Sequence, residues 1–585
     1  MLRRIAPLIP YLARYKKRFV VGFATLVVSQ VVGIVIPLII KSGIDDLSRS
    51  PAMAGSAQLL TLGGVLIAAA LIKAFFQFWM RWILIGISRD VEYDLRNDLF
   101  SHLMLLSPRY YTETRTGDLM SKLTNDLNAV RNMAGPGIMY SANTIVVGIA
   151  TIALMLHLDW RLTVLTLIPL PLASIGVKFF GQRIHDRFER IQAMYSEMTE
   201  MVRENLSGVR VIRAFRQEAP ESARFDAMNQ EFVEKNKRLI WITSFLWPAL
   251  ALLFAIAFML IMVVGGQHVL SGLISVGTFT AFNIYLTYLI WPIIALGWVT
   301  NLVQRGMASL ERMNLIFLAQ PEIDDRLAVQ HAPESLKGEI EFRNLSFSYN
   351  GKPILKNVNL RIPAGKTVAI VGATGSGKST LVNLVPRLYD APGEGMILVD
   401  GVPIRHIPLQ TLRRHIGFVP QETFLFSDTI RENIKFGAPS ASDAEVERAA
   451  DISNILSEIL DFPKGFDTLV GERGLTLSGG QKQRAAISRA VLRDPRILIL
   501  DDALSSVDTY TEEKILNQLT GVMAGRTTIL ISHRVSTIRN ADEIVVLHGG
   551  EIVERGSHEE LLALNGAYTE LYNRQLIEEE LEQEV

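Results

Sequence analysis

Residues 367–380 read TVAIVGATGSGKST. An apolar, β-branched run suited to a buried strand passes directly into a glycine-rich turn and then into the apolar helical pattern LVNLV. Strand, glycine turn and helix in that order form the setting of a phosphate-binding loop. The glycines let backbone N–H groups turn toward phosphate oxygens, and the helix start adds positive potential. Lys378 supplies a cation and Ser379 a hydroxyl suited to Mg²⁺. The nucleotide-contacting set read from this stretch is Gly372, Thr374, Gly375, Ser376, Gly377, Lys378, Ser379 and Thr380. Alternating strand-like residues from Gly338 onward, then strand and helix signals in succession, predict an α/β domain with a largely parallel sheet over 338–575.

Further along, Ile497-Leu-Ile-Leu-Asp501 is a buried-strand run ending in a carboxylate that can hold Mg²⁺ directly or through water. Asp502 follows it, where a general base reaches an attacking water; capping the next turn is its alternative use. Leu477-Ser-Gly-Gly-Gln481 precedes the helical run KQRAAISRAVL. Ser478, Gly479 and Gly480 would form another anion-facing helix start, with Gln481 beside it. A second phosphate cradle is redundant for a single ATP, but fits a domain that closes on a nucleotide held by a partner. A dimer is therefore expected.

Outside this domain the character of the chain changes. Of 585 residues 49% are hydrophobic and 20% charged, and the long apolar runs crowd the first half. Six segments reach the ~20 apolar residues that cross a bilayer: about 19–41, 59–87, 137–156, 161–180, 243–265 and 277–303. Lys and Arg number six before the first run, six over 89–135 and eleven over 181–240, whereas the alternate loops hold Arg49 alone. Basic loops stay on the cytosolic side, so both termini are expected there, in the inner (plasma) membrane. The N-terminal lead lacks a short apolar core with a cleavage site and reads as the approach to a retained span. The basic segments also carry apolar residues at helical spacing, broken near 107–118 and 213–224, either as surface hairpins or as tips that dock on a cytosolic motor. Residues 319–337, polar with two prolines, read as a linker, and 576–585 as an acidic helical tail.

Lys plus Arg and Asp plus Glu both total 59, which gives no sign of a nucleic-acid partner, and the absence of Cys excludes disulfides and thiol chemistry. Lys73 and Arg81 fall inside the second apolar run, facing a cavity or else snorkelling or pairing. Phe76, Trp79, Asn143, Asn283, Trp291 and Trp298 would line a cavity for an amphipathic substrate or serve as packing and interface anchors.

Tyr349, the phosphate loop, Gln421, LSGGQ, ILILDD, Ser505-Ser-Val-Asp508 and His533 occur in the order and spacing of ABC ATPases. With the six spans and two cytosolic turns, the whole chain resembles the six-span ABC exporter class, related to multidrug and lipid exporters. The resemblance implies an all-α transmembrane domain of six long helices at 1–318, followed by an α/β P-loop nucleotide-binding domain. It implies that Tyr349 stacks on adenine, Gln421 touches Mg²⁺ and the membrane-domain interface, and His533 contacts the γ-phosphate. Asp508 would link the two sites of a dimer, and Glu472 in VGERG would sense the membrane domain. ATP with Mg²⁺ held by Ser379, Asp501 and Gln421 is the implied cofactor pair; membrane lipid and an amphipathic small molecule are the implied ligands. A soluble ABC protein and an importer with separate chains both fit less well.

One residue departs from the pattern. Most hydrolytic sites of this family carry Glu where this chain has Asp502. Asp is one methylene shorter, and a displacement of ~1 Å can cost on the order of 100-fold. With an intact signature, that combination resembles the impaired-site half of bacterial heterodimeric exporters, whose partner brings the competent base. A homodimer with two weak sites, or an ATP-gated membrane protein that does not pump, is the alternative.

Overall fold

The computed structural model describes residues 2–49, 56–328, 335–471, 474 and 476–583. The chain divides into two compact units, 1–104 with 115–319 and 105–114 with 320–585.

The first unit is helical. Among the described residues five helices are long and apolar enough to cross a membrane. They are α1 (Lys16–Arg49), α2 (Ser56–Leu105), α4 (Thr116–Leu158), α8 (Glu218–Leu270) and α9 (Val276–Leu318). The expected span at 161–180 is instead divided between α5 (Trp160–Leu167) and α6 (Pro169–Ser207). Pro169 and Pro171 lack the N–H groups that would continue the α5 ladder, and Pro169 takes the first position of α6, which tolerates it. Asp159 starts α5 by accepting from the backbone N–H of Arg161 at 2.9 Å and of Leu162 at 3.1 Å.

Ile34, Met155, Leu162, Ile261, Phe282 and Tyr285 form the buried core of this unit. The Tyr285 hydroxyl donates to the Ile34 carbonyl at 2.8 Å, tying α9 to α1. Leu60, Ile67, Leu71 and Trp82 of α2 are exposed instead, an apolar surface that a bilayer solvates. Lys73 lies 5.9 Å from the Tyr288 ring centroid on α9. Arg312 joins α9 to α4 through a paired Asp126, with Nε at 3.0 Å.

The second breaking segment lies in this unit: α7 (Val209–Ala214) ends at Phe215, and α8 starts at Glu218. Val211 and Phe215 are exposed. The first breaking segment belongs to the second unit, as α3 (Pro108–Glu113). Its Arg109 donates to Asn350 at 3.0 Å, and Ser107 to Glu322 at 3.2 Å.

The second unit contains two sheets. Four antiparallel strands, β1 (Ile340–Tyr349), β2 (Lys352–Ile362), β4 (Ile397–Val399) and β5 (Val402–Pro403), run in the order β2-β1-β4-β5. The larger sheet runs β10-β9-β3-β8-β7-β6, with β3 (Thr367–Val371), β6 (Ile416–Val419), β7 (Ile497–Asp501), β8 (Thr527–Ile531), β9 (Glu543–His548) and β10 (Glu551–Gly556). All its pairings are parallel except β9 with β10. In such sheets ligands gather at the carboxyl ends of the strands. Gly372, Asp501 and the Ser532-His533 pair lie at or just past those ends of β3, β7 and β8, and Gln421 lies two residues past β6.

Two sequence boundaries differ from the structure. Residues 320–328, expected as free linker, pack on this unit: the Asp324 carbonyl accepts from Arg387 at 3.2 Å, and Asp325 accepts from the Leu409 N–H at 2.8 Å. Linker residues 329–334 lie outside the described residues. No break separates the domain from an acidic tail at 575/576, because α14 (Ala567–Gln583) runs through that point.

Candidate nucleotide site

The turn after β3 is built around glycine. Gly372, Gly375 and Gly377 have φ of +150°, +81° and +103°, values that side chains rarely adopt. A Cβ on Gly372 would also stand 2.1 Å from the Leu547 carbonyl oxygen. From here α10 (Lys378–Leu384) begins. Lys378 is buried, and its ammonium donates to the carbonyls of Gly372 at 2.7 Å and Ala373 at 3.0 Å. Burial holds its pKa below the usual lysine value, with Asp501 and Asp502 opposing. The Ser376 hydroxyl is buried and has no hydrogen-bond partner among the protein atoms. An orphaned donor in a glycine cradle beside a buried cation fits a phosphate group.

Ser379 donates to Asp501 at 3.1 Å. Burial, the largest influence, raises the Asp501 pKa; the Ser379 bond opposes this and Asp502 adds to it. Two adjacent carboxylates beside a hydroxyl fit a divalent cation, which would relieve the charge that burial penalises. Gln421 reaches Asp502 at 3.4 Å. Asp502 itself sits at φ +51°, with its N–H donating to the Ile531 carbonyl at 2.9 Å. That left-handed conformation is one Asp adopts more readily than longer side chains.

These groups enclose a pocket of about 250 Å³, lined by Thr374, Gly375, Gly377, Lys378, Ser379, Thr380, Gln421, Asp501, Asp502 and His533. A phosphate cradle, two carboxylates, an amide and an imidazole thus meet in one place. The arrangement can bind a nucleotide polyphosphate and orient a water against it.

Tyr349, Ser478, Gly479, Gly480, Gln481 and Asp508, also singled out in the sequence, do not line this pocket. Tyr349 packs edge-on against Phe347 at 4.9 Å and Tyr389 at 5.1 Å, beside a separate pocket of about 260 Å³ that also has Arg109 and Asn350 in its wall. Burial raises its pKa, and Thr380 opposes this. Ser478 caps α11 (Gly479–Leu492) in a reciprocal box with Gln481, whose amide also donates to Glu458 at 2.8 Å. Ser478 and Gly479 are exposed. Asp508 caps α12 (Thr509–Met523) by accepting from the Thr511 N–H at 2.9 Å, which keeps its carboxyl below the usual range. Glu472 lies outside the described residues.

Sequence reading missed Gln483. It is buried on α11, donates to Ser505 Oγ at 2.9 Å and accepts from the Ser506 N–H at 2.9 Å. Its one sequence signal is a glutamine at a position where helical spacing calls for an apolar side chain.

The fold and this pocket define a multi-pass membrane protein with a P-loop ATPase domain. Family models agree with both halves: ABC transporter transmembrane region over residues 19–293, and ABC transporter over 355–505. The chain is 38% identical over 566 residues to the "Probable multidrug resistance ABC transporter ATP-binding/permease protein YheI" of Bacillus subtilis (strain 168), covering 96% of each. It is 37% identical over 570 residues to the "ATP-dependent lipid A-core flippase" of Syntrophus aciditrophicus (strain SB), covering 97% of this chain and 94% of that protein. It is 35% identical over 584 residues to the "Multidrug resistance-like ATP-binding protein MdlA" of Escherichia coli (strain K12), covering 99% and 98%. Among solved structures, "Structure of a bacterial Atm1-family ABC exporter with ATP bound" matches with a TM-score of 0.77 at 30% identity, covering 96% of this chain and 99% of that one. The chain belongs to the ABC transporter family, as an ATP-hydrolysing transporter of the exporter class.

Proposed function

We propose that this chain is one half of a dimeric exporter that moves amphipathic small molecules, drugs or lipids, out of the cytosol by alternating access, and that its partner is a different chain. The phosphate loop and Lys378 bind ATP; Ser379, Asp501 and Gln421 hold Mg²⁺; His533 meets the γ-phosphate; Asp502 is a weak general base. Tyr349 supports the adenine. Ser478, Gly479, Gly480 and Gln481 complete the partner's site, and Asp508 lies between the two. Both termini lie in the cytosol, and the chain sits in the inner (plasma) membrane.

The observation that carries the unequal pair is Asp502, a short side chain on a left-handed residue at the base position. The exposed signature supports trans completion, since it lies outside the pocket of its own domain. The three named relatives, two with printed descriptions that mention multidrug resistance and one a lipid flippase, support the substrate class. Moving an inward–outward equilibrium from 1:99 to 99:1 takes about 5.5 kcal/mol of differential binding, within reach of two nucleotides closing a dimer.

The chain would be purified alone and together with a half-transporter encoded beside it that carries Glu at the base position. Turnover is expected to be slow alone and fast in the mixed pair. Robust turnover by the chain alone, with no gain on mixing, would sink the unequal pair in favour of a homodimer. Uptake of fluorescent amphiphiles into inverted vesicles given MgATP separates pumping from ATP-gated permeation, since only pumping accumulates them.

A further inference from the structure

Behind the pocket lies a buried polar chain that none of the roles above requires. Glu512 on α12 is 1% exposed, yet both of its carboxylate oxygens are engaged. One accepts from the Arg534 guanidinium and the other from the Thr537 hydroxyl on α13 (Val535–Ile538). Arg534 follows His533 directly, and the same guanidinium nitrogen donates to the Val507 carbonyl at 3.1 Å. Val507 immediately precedes Asp508. From the other side, Gln483 holds Ser505 and Ser506 at 2.9 Å each and reaches the Asp502 carbonyl at 3.5 Å. The buried Gln483 and the partly exposed Arg534, itself held by the buried Glu512, therefore clamp one short loop, residues 502–508, between the helix that begins with the signature and the turn that carries His533.

A buried carboxylate paired with a partly exposed guanidinium is a weak source of stability, because the cost of desolvating the carboxylate offsets much of the attraction. Its value is directional. The Thr537 hydroxyl orients the Glu512 carboxylate, which together with the Val507 carbonyl holds one guanidinium nitrogen of Arg534, the residue that follows His533. A displacement of the Val507 carbonyl must move Arg534 or break its bond.

We propose that Glu512 and Arg534 are positioning residues for ATP hydrolysis, transmitting the placement of the Ser505–Asp508 loop to His533. The loop faces the partner's site in the reading above, on which this inference rests, so the pair makes the imidazole of one site responsive to closure at the other. Gln483 anchors the same loop to the signature helix.

The test uses the full-length chain in nanodiscs with whichever partner it assembles, and reads kcat and KM for MgATP. Glu512→Gln and Arg534→Gln are each expected to lower kcat about tenfold with KM unchanged within twofold. The double variant is expected to be no slower than either single, because both act through one contact. Arg534→Lys should recover part of the loss. Unchanged kcat in Glu512→Gln, or multiplied losses in the double variant, overturns the positioning role. His533→Ala is measured alongside: if it leaves kcat intact, the reading of His533 fails, whereas a loss there with none in Glu512→Gln removes the relay alone. If Glu512→Gln does not assemble, Thr537→Val removes one hydrogen bond and keeps the ion pair. A two- to threefold fall in kcat at constant KM is then expected, and none overturns the proposal.

Discussion

The nucleotide-binding domain contains two glycine-rich helix starts that read alike in sequence and are built differently. At Gly372–Ser379 the turn is strained: three glycines have positive φ, an orphaned hydroxyl is buried, and a lysine is held only by carbonyls. At Leu477–Gln481 the start is relaxed: Ser478 and Gln481 satisfy one another, and Ser478 stands exposed. The first has an unpartnered buried hydroxyl and a buried cation that a phosphate would engage, so it is a site by itself. The second has its own cap satisfied and presents a bare surface, so it becomes half of a site only when another molecule brings a phosphate to it.

The comparison breaks most sharply at Lys378. Removing the cation from the strained loop with Lys378→Ala is expected to lower turnover on the order of 1,000-fold and to abolish nucleotide binding to this chain, as measured by a fluorescent ATP analogue. Retained binding would mean that the loop is not the cradle. At the relaxed start, Gly480→Asp places a side chain where even a Cβ would stand 3.0 Å from the Ser506 carbonyl oxygen. It also puts an anion where the partner's phosphate would arrive. Turnover is expected to fall about 100-fold while ATP binding to this chain's own loop persists. If binding and turnover fall together, the two starts serve one nucleotide and the trans reading is wrong.

A smaller effect, of opposite sign, is expected at Asp502. Lengthening the base with Asp502→Glu recovers up to about 100-fold in placement. Against this, the left-handed backbone costs a longer side chain about 1 kcal/mol, roughly a factor of five. The net expectation is a rise in turnover of up to about twentyfold, read in the same ATPase assay. No rise would place the limit on this site outside the length of its base.

How much of this could be read from the chain follows from how far apart the partners lie. The phosphate loop and ILILDD are contiguous segments whose chemistry is local, so their glycines, hydroxyl and carboxylates are visible as strings. Spans are visible because a bilayer demands some twenty apolar residues in a row. The break at Pro169 and Pro171 was visible too, but hydropathy averages over the missing N–H groups. Nothing local announces that Gln483 grips a loop around residue 505, that Arg534 meets Glu512 twenty-two positions away, or that Arg109 joins Asn350. Those contacts exist only once the two sheets have formed and brought distant segments together, and apart from Gln483, a polar residue at an apolar helical position, each of these residues reads in sequence as an ordinary solvated side chain.

The smallest expected effect concerns the charge that makes the strained loop incomplete. Asp501 has a folded-state pKa above the ordinary carboxylate value, chiefly because it is buried. The folded protein therefore holds that proton more tightly than the unfolded chain does. Between the two pKa values the unfolded chain ionises first, so stability falls as pH rises through that window and stays lower at neutral pH. Asp501→Asn removes the penalty. Without Mg²⁺, its apparent Tm should exceed that of the unaltered protein by roughly 2 °C at pH 7.5, with the gap closing as pH falls toward the ordinary Asp range. MgATP should reverse the order, because a cation at Asp501 stabilises the carboxylate and has nothing equivalent to neutralise in the amide. Equal melting at both pH values would mean that the carboxylate is compensated within the chain already. The phosphate loop would then lack the cation deficit that distinguishes it from the signature.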